Sequence, residues 1–530
     1  MNKNLIFVLK TNQEYIRHNG QDAAVNEALL SHLFDDISDI YIPLLNMFNS
    51  LDKEGIKAKL GIVLSPVLCT MLEDPEIQNL YVAWLEKHIQ LGDAEIERNA
   101  SENEVKEIAS SLKEKYLLLK DDFEVKYNKL LIPAFAELKQ KGYLEILATT
   151  GTDIFVPHFY DLPEVVSAQI EIGLQAFRHS FGEIPEGFWL PEKGYAPGIE
   201  KLIRGYGFSY TIVDARSILL SENVPSKGIF HPYRFENALG VFASDPFFDD
   251  EVFGEDGFSS NSVYRNENCD IGFELPVENL STLISEKIGR YSTGYKYWNK
   301  ESDDEDKYIY NVSEAEKQLK EDASTFLKNK EALLKNAAEE ISDSDFISLV
   351  CTFDTDKLHN NWSETLKWLE QIYRQGSDFD LTFENCNALI EDQFTFEKVN
   401  PYYSSSAGAG YGENFISSKN SWMMRYIRKA CERMIDLADR FPNDSGLKTR
   451  LLNIGAKELM LAQSSGLQKM IEEQEFPEYA EKRFKESIYS FTAVFDSLGS
   501  NKVSTEWLTK LETRDCLFQW MNYRIYSKKK

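Results

Sequence analysis

Short apolar segments recur along the first 350 residues of the chain. Such segments are typical of strands that are buried on both faces of a parallel sheet. They lie at residues 5–9, 58–64, 144–148, 188–190, 210–213 and 347–351. Helical patterns separate most of these segments, and this alternation of β and α elements predicts a parallel α/β barrel or sheet.

Two other regions carry helical periodicity over longer distances. Residues 68–131 are highly charged and too long for a connecting loop, so we interpret them as an inserted helical subdomain. A Gly/Ser-rich segment at 404–412 is the clearest boundary, and helical patterns follow it. We therefore predict a barrel domain over residues 1–400 and an all-helical C-terminal domain over residues 401–530.

The composition indicates a folded protein of more than one ordinary core. The chain has 530 residues, of which 43% are hydrophobic and 13% aromatic. Its net charge of −28 argues against nucleic acid and anionic membranes as partners, because both require a basic surface. No segment is long and apolar enough to predict a membrane helix.

The cysteine pattern and the N-terminal sequence predict a cytoplasmic protein. The six cysteines show neither CxxC spacing nor clustering with histidine, which is typical of reduced thiols. The apolar stretch at residues 5–9 is short and has no small-residue cleavage site, so we interpret it as a first strand and not as a signal peptide. The sequence implies no metal and no organic cofactor.

The segment Gly-Phe-Trp-Leu-Pro-Glu-Lys-Gly-Tyr at residues 187–195 carries the first candidate for chemistry. It places Glu192 after a short strand, in a βα loop, which is where barrel enzymes hold their catalytic groups. Taken alone, Glu192 is also compatible with an exposed residue in a turn. Trp189 fits a sugar-stacking platform and a barrel-core residue equally well.

Asp354 is the second candidate, because it follows the apolar run at residues 347–350 and so ends a strand. Asp356 would share its face in an extended chain but lies further into the loop, which makes it the poorer candidate. Two carboxylates about 5–5.5 Å apart can act as the nucleophile and the acid/base of a retaining glycosidase. The chain has 86 acidic residues, however, so the pairing alone is a weak signal.

These segments resemble the motifs of glycoside hydrolase family 57. The run Phe-Trp-Leu-Pro-Glu192 resembles the nucleophile motif of the family. The segment at residues 353–362 resembles its acid/base motif, with Asp354 at the acid/base position and Trp362 at a pattern aromatic. Further similar runs lie at residues 270–272, 293–297, 420–422, 461–465, 479–483 and 507–515. The C-terminal runs are most similar to the subgroup of α-1,4-glucan branching enzymes and amylase-like proteins.

The resemblance implies a fold, a mechanism and a substrate. The fold is α/β, a (β/α)7 barrel with an inserted helical subdomain and an all-helical C-terminal domain. The mechanism is retaining, with Glu192 as nucleophile and Asp354 as acid/base. The expected partner is an α-glucan polysaccharide or oligosaccharide.

The chain departs from the family pattern at the sugar site. Lys10 and Asn12 stand where the first motif carries two histidines, and Asp153 stands at a histidine position of the second motif. Lys10 and Asp153 could form an ion pair there. Ala407 lies in the segment where a tryptophan is expected, so an acceptor platform is predicted to be missing.

The remaining candidates have a structural alternative. Trp362 and Trp422 fit packing roles better than sugar contacts, and His359 could reach the cleft. The complete set of predicted substrate-binding residues is Trp189, Lys10, Asn12, Asp153, Trp362, Trp422 and His359.

These residues, together with the resemblance, leave three functions open. The first is an active enzyme on α-1,4-glucan, in which hydrolysis is favoured over branching because Ala407 removes the acceptor platform. The second is a glucan-binding or regulatory pseudoenzyme, since the lost histidines should weaken transition-state binding. The third is an enzyme for a cationic or amino sugar attracted by Asp153.

Overall fold

A computed structural model describes residues 1–17, 23–280, 283, 290–303, 305–341, 343–500, 502 and 504–528. The side chains of residues 23–27 and 359–360 lie outside this description. Among the described residues, no helix is both long and apolar enough to cross a membrane.

Strands of the described chain form a closed parallel barrel. The strands are β1 (Asn2–Lys10), β2 (Leu60–Val63), β3 (Leu144–Leu147), β4 (Gly187–Trp189), β5 (Tyr210–Val213), β6 (Tyr233–Arg234), β7 (Gly240–Ala243), β8 (Phe346–Asp354) and β9 (Thr382–Phe383). One sheet has the order β3-β2-β1-β8, and the other has the order β4-β5-β7-β6. Parallel bridges join Ala148 to Phe188 and Ser244 to Val350. The barrel therefore runs β1-β2-β3-β4-β5-β7-β8 and returns to β1, which confirms the (β/α)7 architecture. Strand β6 pairs antiparallel with β7, and β9 adds to β1.

Alternation along β1 divides the core into an inner and an outer layer. Ile6 and Val8 pack inside the barrel with a small apolar cluster from the other strands. Leu5, Phe7 and Leu9 point the other way and join the large cluster between the barrel and its helices. Because successive side chains of a strand alternate between faces, a continuous apolar run is what a barrel strand requires.

Helices surround the barrel and follow it. They are α1 (Ala23–Asp36), α2 (Ile42–Lys53), α3 (Pro66–Glu73), α4 (Pro75–Arg98), α5 (Asn103–Asp121), α6 (Leu131–Gln140), α7 (Pro163–Phe181), α8 (Ile199–Gly205), α9 (Ala215–Leu219), α10 (Phe248–Phe253), α11 (Ile271–Glu274), α12 (Val312–Glu340), α13 (Thr355–Asn360), α14 (Thr365–Gln375), α15 (Ser421–Arg440), α16 (Leu447–Ala462), α17 (Ser465–Glu473), α18 (Pro477–Ser500) and α19 (Thr505–Arg514). Helices α3–α6 occupy the region predicted to be a helical insert. The boundaries of that insert stay a prediction.

The C-terminal helices contact the loops at the carboxyl ends of the barrel strands. The Thr152 hydroxyl donates to the Met460 carbonyl over 2.8 Å. The Cys516 N–H donates to the hydroxyl oxygen of Tyr15 over 2.7 Å. These contacts bring α16 and the segment that follows α19 to the loops after β3 and β1, at the same end of the barrel as Glu192 and Asp354. The division of the chain at residue 400 stays a prediction.

Candidate active site

Glu192 lies in a strained turn that follows β4. It has φ 54° and ψ 24° within the short 3-10 turn Pro191–Lys193, a left-handed conformation that costs a non-glycine residue about 1 kcal/mol. The Ser406 N–H and Oγ both donate to the Glu192 carbonyl, over 2.8 and 2.9 Å. The buried Lys193 donates to the Thr352 hydroxyl over 3.0 Å. Contacts on both sides thus hold the turn in one conformation, as is typical of functional residues.

Asp354 is the last residue of β8, as the sequence predicts. It caps helix α13 by accepting the Lys357 N–H over 3.0 Å. Lys10, the last residue of β1, is its partner in the parallel register of the two strands. Because parallel strands end at the same edge of a barrel, the pairing places the Lys10 and Asp354 side chains at the mouth of the site.

Lys10 forms the centre of the charged cluster. Its ammonium nitrogen lies 3.1 Å from Asp153 Oδ2 and 3.7 Å from Glu192 Oε1. Burial would lower the pKa of Lys10, but the carboxylates of Asp153, Glu192 and Asp354 raise it above its ordinary value. The side chain is therefore a buried cation, and the ion pair predicted between Lys10 and Asp153 is confirmed.

The pKa of Asp354 is raised from its ordinary value. Burial is the main cause, and the nearby carboxylates of Asp356 and Glu192 act in the same direction, against Lys10 and Lys357. Asp354 therefore keeps its proton to higher pH than an exposed aspartate does. A raised pKa is what a general acid requires when it works beside an ionised carboxylate.

Asp356 has the opposite character, although it lies only two residues away. Burial alone would raise its pKa, but an ion pair with Lys469 and a hydrogen bond from Asn12 hold the pKa below its ordinary value. The Asn12 Nδ2 group donates to Asp356 Oδ2 over 3.3 Å. Asp356 is thus a paired, ionised carboxylate, which supports Asp354 as the better candidate for an acid. Asn12 contacts Asp356 and lies at the same mouth of the barrel.

Two of the predicted aromatic residues are buried in this structure. Trp362 is fully buried against Tyr264 and Trp368, which favours its packing role over a contact with substrate. Trp189 is 3% exposed within the inner barrel cluster, which favours its core role over a sugar platform.

Trp422 and His359 are the two remaining residues that were predicted to bind substrate. The half-buried Trp422 packs against Phe484, and its indole N–H donates to the Lys419 carbonyl over 3.1 Å. This packing favours a structural role for Trp422. The side chain of His359 lies outside the described residues, so its approach to the cleft stays a prediction.

Sequence reasoning missed several residues that shape the site. Ser406 holds the turn of Glu192 and also donates to Glu192 Oε2 over 3.3 Å. Ser464 donates to Glu14, whose pKa burial raises to about 7. Glu14 closely follows the end of β1, and Ser406 lies in the Gly/Ser-rich segment. The sequence therefore contains a weak indication that each of them lies near the site. Nothing in the sequence around Lys469 indicates its contact with Asp356.

The arrangement combines a charged cluster around Lys10 with the protonatable carboxyl group of Asp354. Lys10 is close to the carboxyl groups of Asp153 and Glu192 and in register with Asp354, so each of these three groups has a cation nearby. Among the described residues, no group of three or more His, Cys, Asp or Glu side chains is placed to hold a metal ion. A carboxyl group of this kind can attack as a nucleophile, and a second one can transfer a proton.

Known proteins are similar to this chain in both sequence and fold. Residues 6–349 match the model of glycosyl hydrolase family 57, and residues 426–526 match the model of the C-terminal region of 1,4-alpha-glucan branching enzyme. The 1,4-alpha-glucan branching enzyme TK1436 of Thermococcus kodakarensis is 25% identical over 515 residues, which are 90% of this chain and 71% of that protein.

Two solved structures extend the comparison to three dimensions. The alpha-amylase AmyC from Thermotoga maritima superposes with a TM-score of 0.90 at 27% identity, and the match covers 99% of each chain. The branching enzyme from Pyrococcus horikoshii superposes with a TM-score of 0.84 at 22% identity and covers 100% of this chain and 98% of its own. The second likeness supports the fold alone. Because the family model matches more than half of its residues, the chain belongs to glycosyl hydrolase family 57.

Proposed function

We propose that the protein is a retaining glycosidase for α-1,4-glucans, with Glu192 as the nucleophile and Asp354 as the acid/base. The observation that carries this proposal is the contrast between the two groups. Asp354 has a raised pKa, whereas a Glu192 carboxyl oxygen lies 3.7 Å from the Lys10 ammonium. The substrate class is supported by the relatives, which are named as an alpha-amylase and as branching enzymes.

The reaction takes two steps. Glu192 attacks the anomeric carbon of the bound glucan while the protonated Asp354 gives its proton to the leaving glycosidic oxygen. The ionised Asp354 then takes a proton from water, and the resulting hydroxide displaces Glu192 from the sugar. In the intermediate Glu192 is an uncharged ester, and Lys10 keeps Asp153 as its partner.

Hydrolysis is favoured over transfer to a second glucan. Ala407 is buried in a small cluster with Phe155 and Phe415, at the place where a tryptophan platform is expected. A small buried side chain offers no face on which an acceptor sugar can stack. Water needs no such platform, and so it becomes the favoured acceptor.

The second candidate function is a pseudoenzyme that binds glucan without cleaving it. The observation that favours it is the ion pair between Lys10 and Asp153, which stands where neutral imidazoles are expected. Because Lys10 and Asp153 already pair with each other, they gain less free energy from contacts with a sugar in its transition state. The same pairing removes the reason to expect a cationic sugar, because Asp153 is already neutralised.

Incubation with amylose and amylopectin separates these functions. New reducing ends that are absent in Glu192→Gln, and retained in the surface control Glu86→Gln, are expected for hydrolysis. A fall in iodine staining without new reducing ends would indicate transfer and contradict hydrolysis. An unchanged substrate that is nevertheless retained by the protein would support the pseudoenzyme and overturn the proposal.

A further inference from the structure

A second concave surface lies beside the loop that carries Glu192. It is a groove of about 590 Å³, which we call the tyrosine groove, lined in part by Tyr195, Pro197, Phe235, Asn237, Tyr402 and Tyr403. Lys10, Asp153, Glu192 and Asp354 are not in its lining. The groove is therefore distinct from the catalytic pair.

Flat aromatic faces are exposed along one wall of the tyrosine groove. Tyr402 is 45% exposed, and Tyr411 next to the groove is 53% exposed. The rings of Tyr403 and Tyr411 stack with centroids 5.7 Å apart and an angle of 17° between their planes. An exposed stack of phenol rings gives an apolar face with hydroxyl groups at its edge, which suits the faces and the hydroxyls of a sugar ring.

Hydrogen bonds hold several residues that line the groove. The Tyr195 hydroxyl and the Gly198 N–H both donate to Glu200 Oε2, over 3.0 and 2.7 Å. Asn237 Nδ2 donates to the Glu200 carbonyl over 2.9 Å. The Tyr402 N–H donates to the Ser217 carbonyl over 2.7 Å. Because the site is already formed, a ligand would lose little free energy in ordering it.

Backbone pairing connects the groove to the nucleophile. The Tyr195 N–H donates to the Ser404 carbonyl over 2.9 Å, and two residues further along the Ser406 N–H donates to the Glu192 carbonyl over 2.8 Å. The segment that begins with Tyr402 and Tyr403 therefore runs directly from the groove to Glu192. A ligand in the groove would lie beside the reacting loop without occupying it.

From this geometry we infer that the tyrosine groove is a second binding site for an α-glucan chain. The inference rests on the proposed function for the class of substrate. A long glucan held in the groove has its other residues at a raised effective concentration near Glu192. A chain that reaches both places gains this second contact, and a chain too short to reach both does not. The groove therefore makes the protein selective for long chains.

Retention in gels that contain amylose tests the inference. Tyr402→Ala and Tyr411→Ala are made in the Glu192→Gln background, which prevents turnover. Each is expected to weaken retention about two- to tenfold, the range that one aromatic contact supplies. The control is Tyr489→Ala in the same background, since Tyr489 lies on α18 and is 67% exposed. Retention equal to that of the control would overturn the inference.

Kinetics on two chain lengths separate this inference from the proposed function. With Glu192 intact, the ratio of kcat/KM for amylose to kcat/KM for maltoheptaose is expected to fall in Tyr402→Ala. An equal loss for both substrates would place Tyr402 in the catalytic cleft and contradict a separate site. If the wild type cleaves neither substrate, the proposed function fails, and the retention experiment still decides whether the groove binds glucan.

Discussion

Lys10 places a buried positive charge between the carboxylates to which we assign the chemistry. It contacts Asp153 and Glu192. Its charge also acts to lower the pKa of Asp354, which favours loss of the proton from that carboxyl group. Neutral imidazoles would offer hydrogen bonds to a sugar at these positions, whereas Lys10 offers a charge. At the scale of residues, the ion pair between Lys10 and Asp153 therefore lies directly beside the group that we propose as the nucleophile.

Removal of the Lys10 charge is expected to destabilise the protein. Lys10→Met leaves Asp153 without its cation and should lower the free energy of unfolding by about 3 kcal/mol. The double variant Lys10→Met/Asp153→Asn should recover about 1 kcal/mol or more of this loss, because the two sites are coupled. Denaturant unfolding measures both values.

The matched control for this cycle is Lys141→Met. Lys141 pairs with Asp52 in a solvent-exposed position, so its loss should change stability by only about 0–1 kcal/mol. A Lys10→Met variant as stable as this control, or strict additivity with Asp153→Asn, would contradict the role given to Lys10.

The pH profile of the reaction depends on a residue that takes no part in it. The like charge of Asp356 helps to raise the pKa of Asp354, so Asp356→Asn should lower that pKa. Asp354 then loses its proton at lower pH, and the alkaline limb of kcat/KM moves to lower pH. The pH profiles of the wild type and of Asp356→Asn are compared with that of Asp52→Asn, which removes a solvent-exposed carboxylate. A limb that stays in place, or moves to higher pH, would rule out Asp354 as the acid.

At the scale of elements, the site depends on how closely helix α7 packs against the loop after β3. That loop carries Asp153, and Gly173 of α7 lies directly against its backbone. A Cβ atom on Gly173 would lie 1.8 Å from the Thr149 carbonyl oxygen. The helix can reach this position only because residue 173 has no side chain, so the glycine fixes the distance between the helix and the loop.

Gly173→Ala is therefore expected to destabilise the protein and to reduce its activity. The added Cβ atom would clash with backbone and displace the loop that carries Asp153. The free energy of unfolding should therefore fall by about 1–3 kcal/mol. Gly205→Ala is the control, because a Cβ atom there meets no other atom within 4 Å. Thermal unfolding and the amylose assay measure the two effects. Equal melting temperatures for the two variants would contradict the packing.

At the scale of the whole molecule, much of the barrel could be predicted from short apolar runs. Six of the seven parallel strands of the described barrel lie where such runs occur, and Glu192 and Asp354 lie at strand ends as expected. The strand β7 (Gly240–Ala243) was not predicted, although it is as long as β2, β3 and β5. Unlike them, it directly follows a short antiparallel strand, β6, and not a helix. Local periodicity is a weak signal over so few positions.

Contacts between distant parts of the chain explain what the sequence could not predict about the site. Ser406 holds Glu192 across 214 positions, and Lys469 pairs with Asp356 across 113 positions. Neither residue stands in a distinctive local pattern. The aromatic residues were ambiguous for a related reason, because a tryptophan next to a catalytic motif packs into a core as readily as it stacks on a sugar.

The most direct test of the central claim is to trap the covalent intermediate on Glu192. Asp354→Asn is incubated with α-maltosyl fluoride, whose fluoride leaves without help from an acid, and the protein is digested and analysed by mass spectrometry. Attack by Glu192 should proceed, while the loss of the base slows release. We predict a maltosyl ester on the peptide that contains Glu192, absent from Glu192→Gln/Asp354→Asn. A protein without this ester, or with the sugar on another carboxylate, would contradict the assignment of Glu192 as the nucleophile.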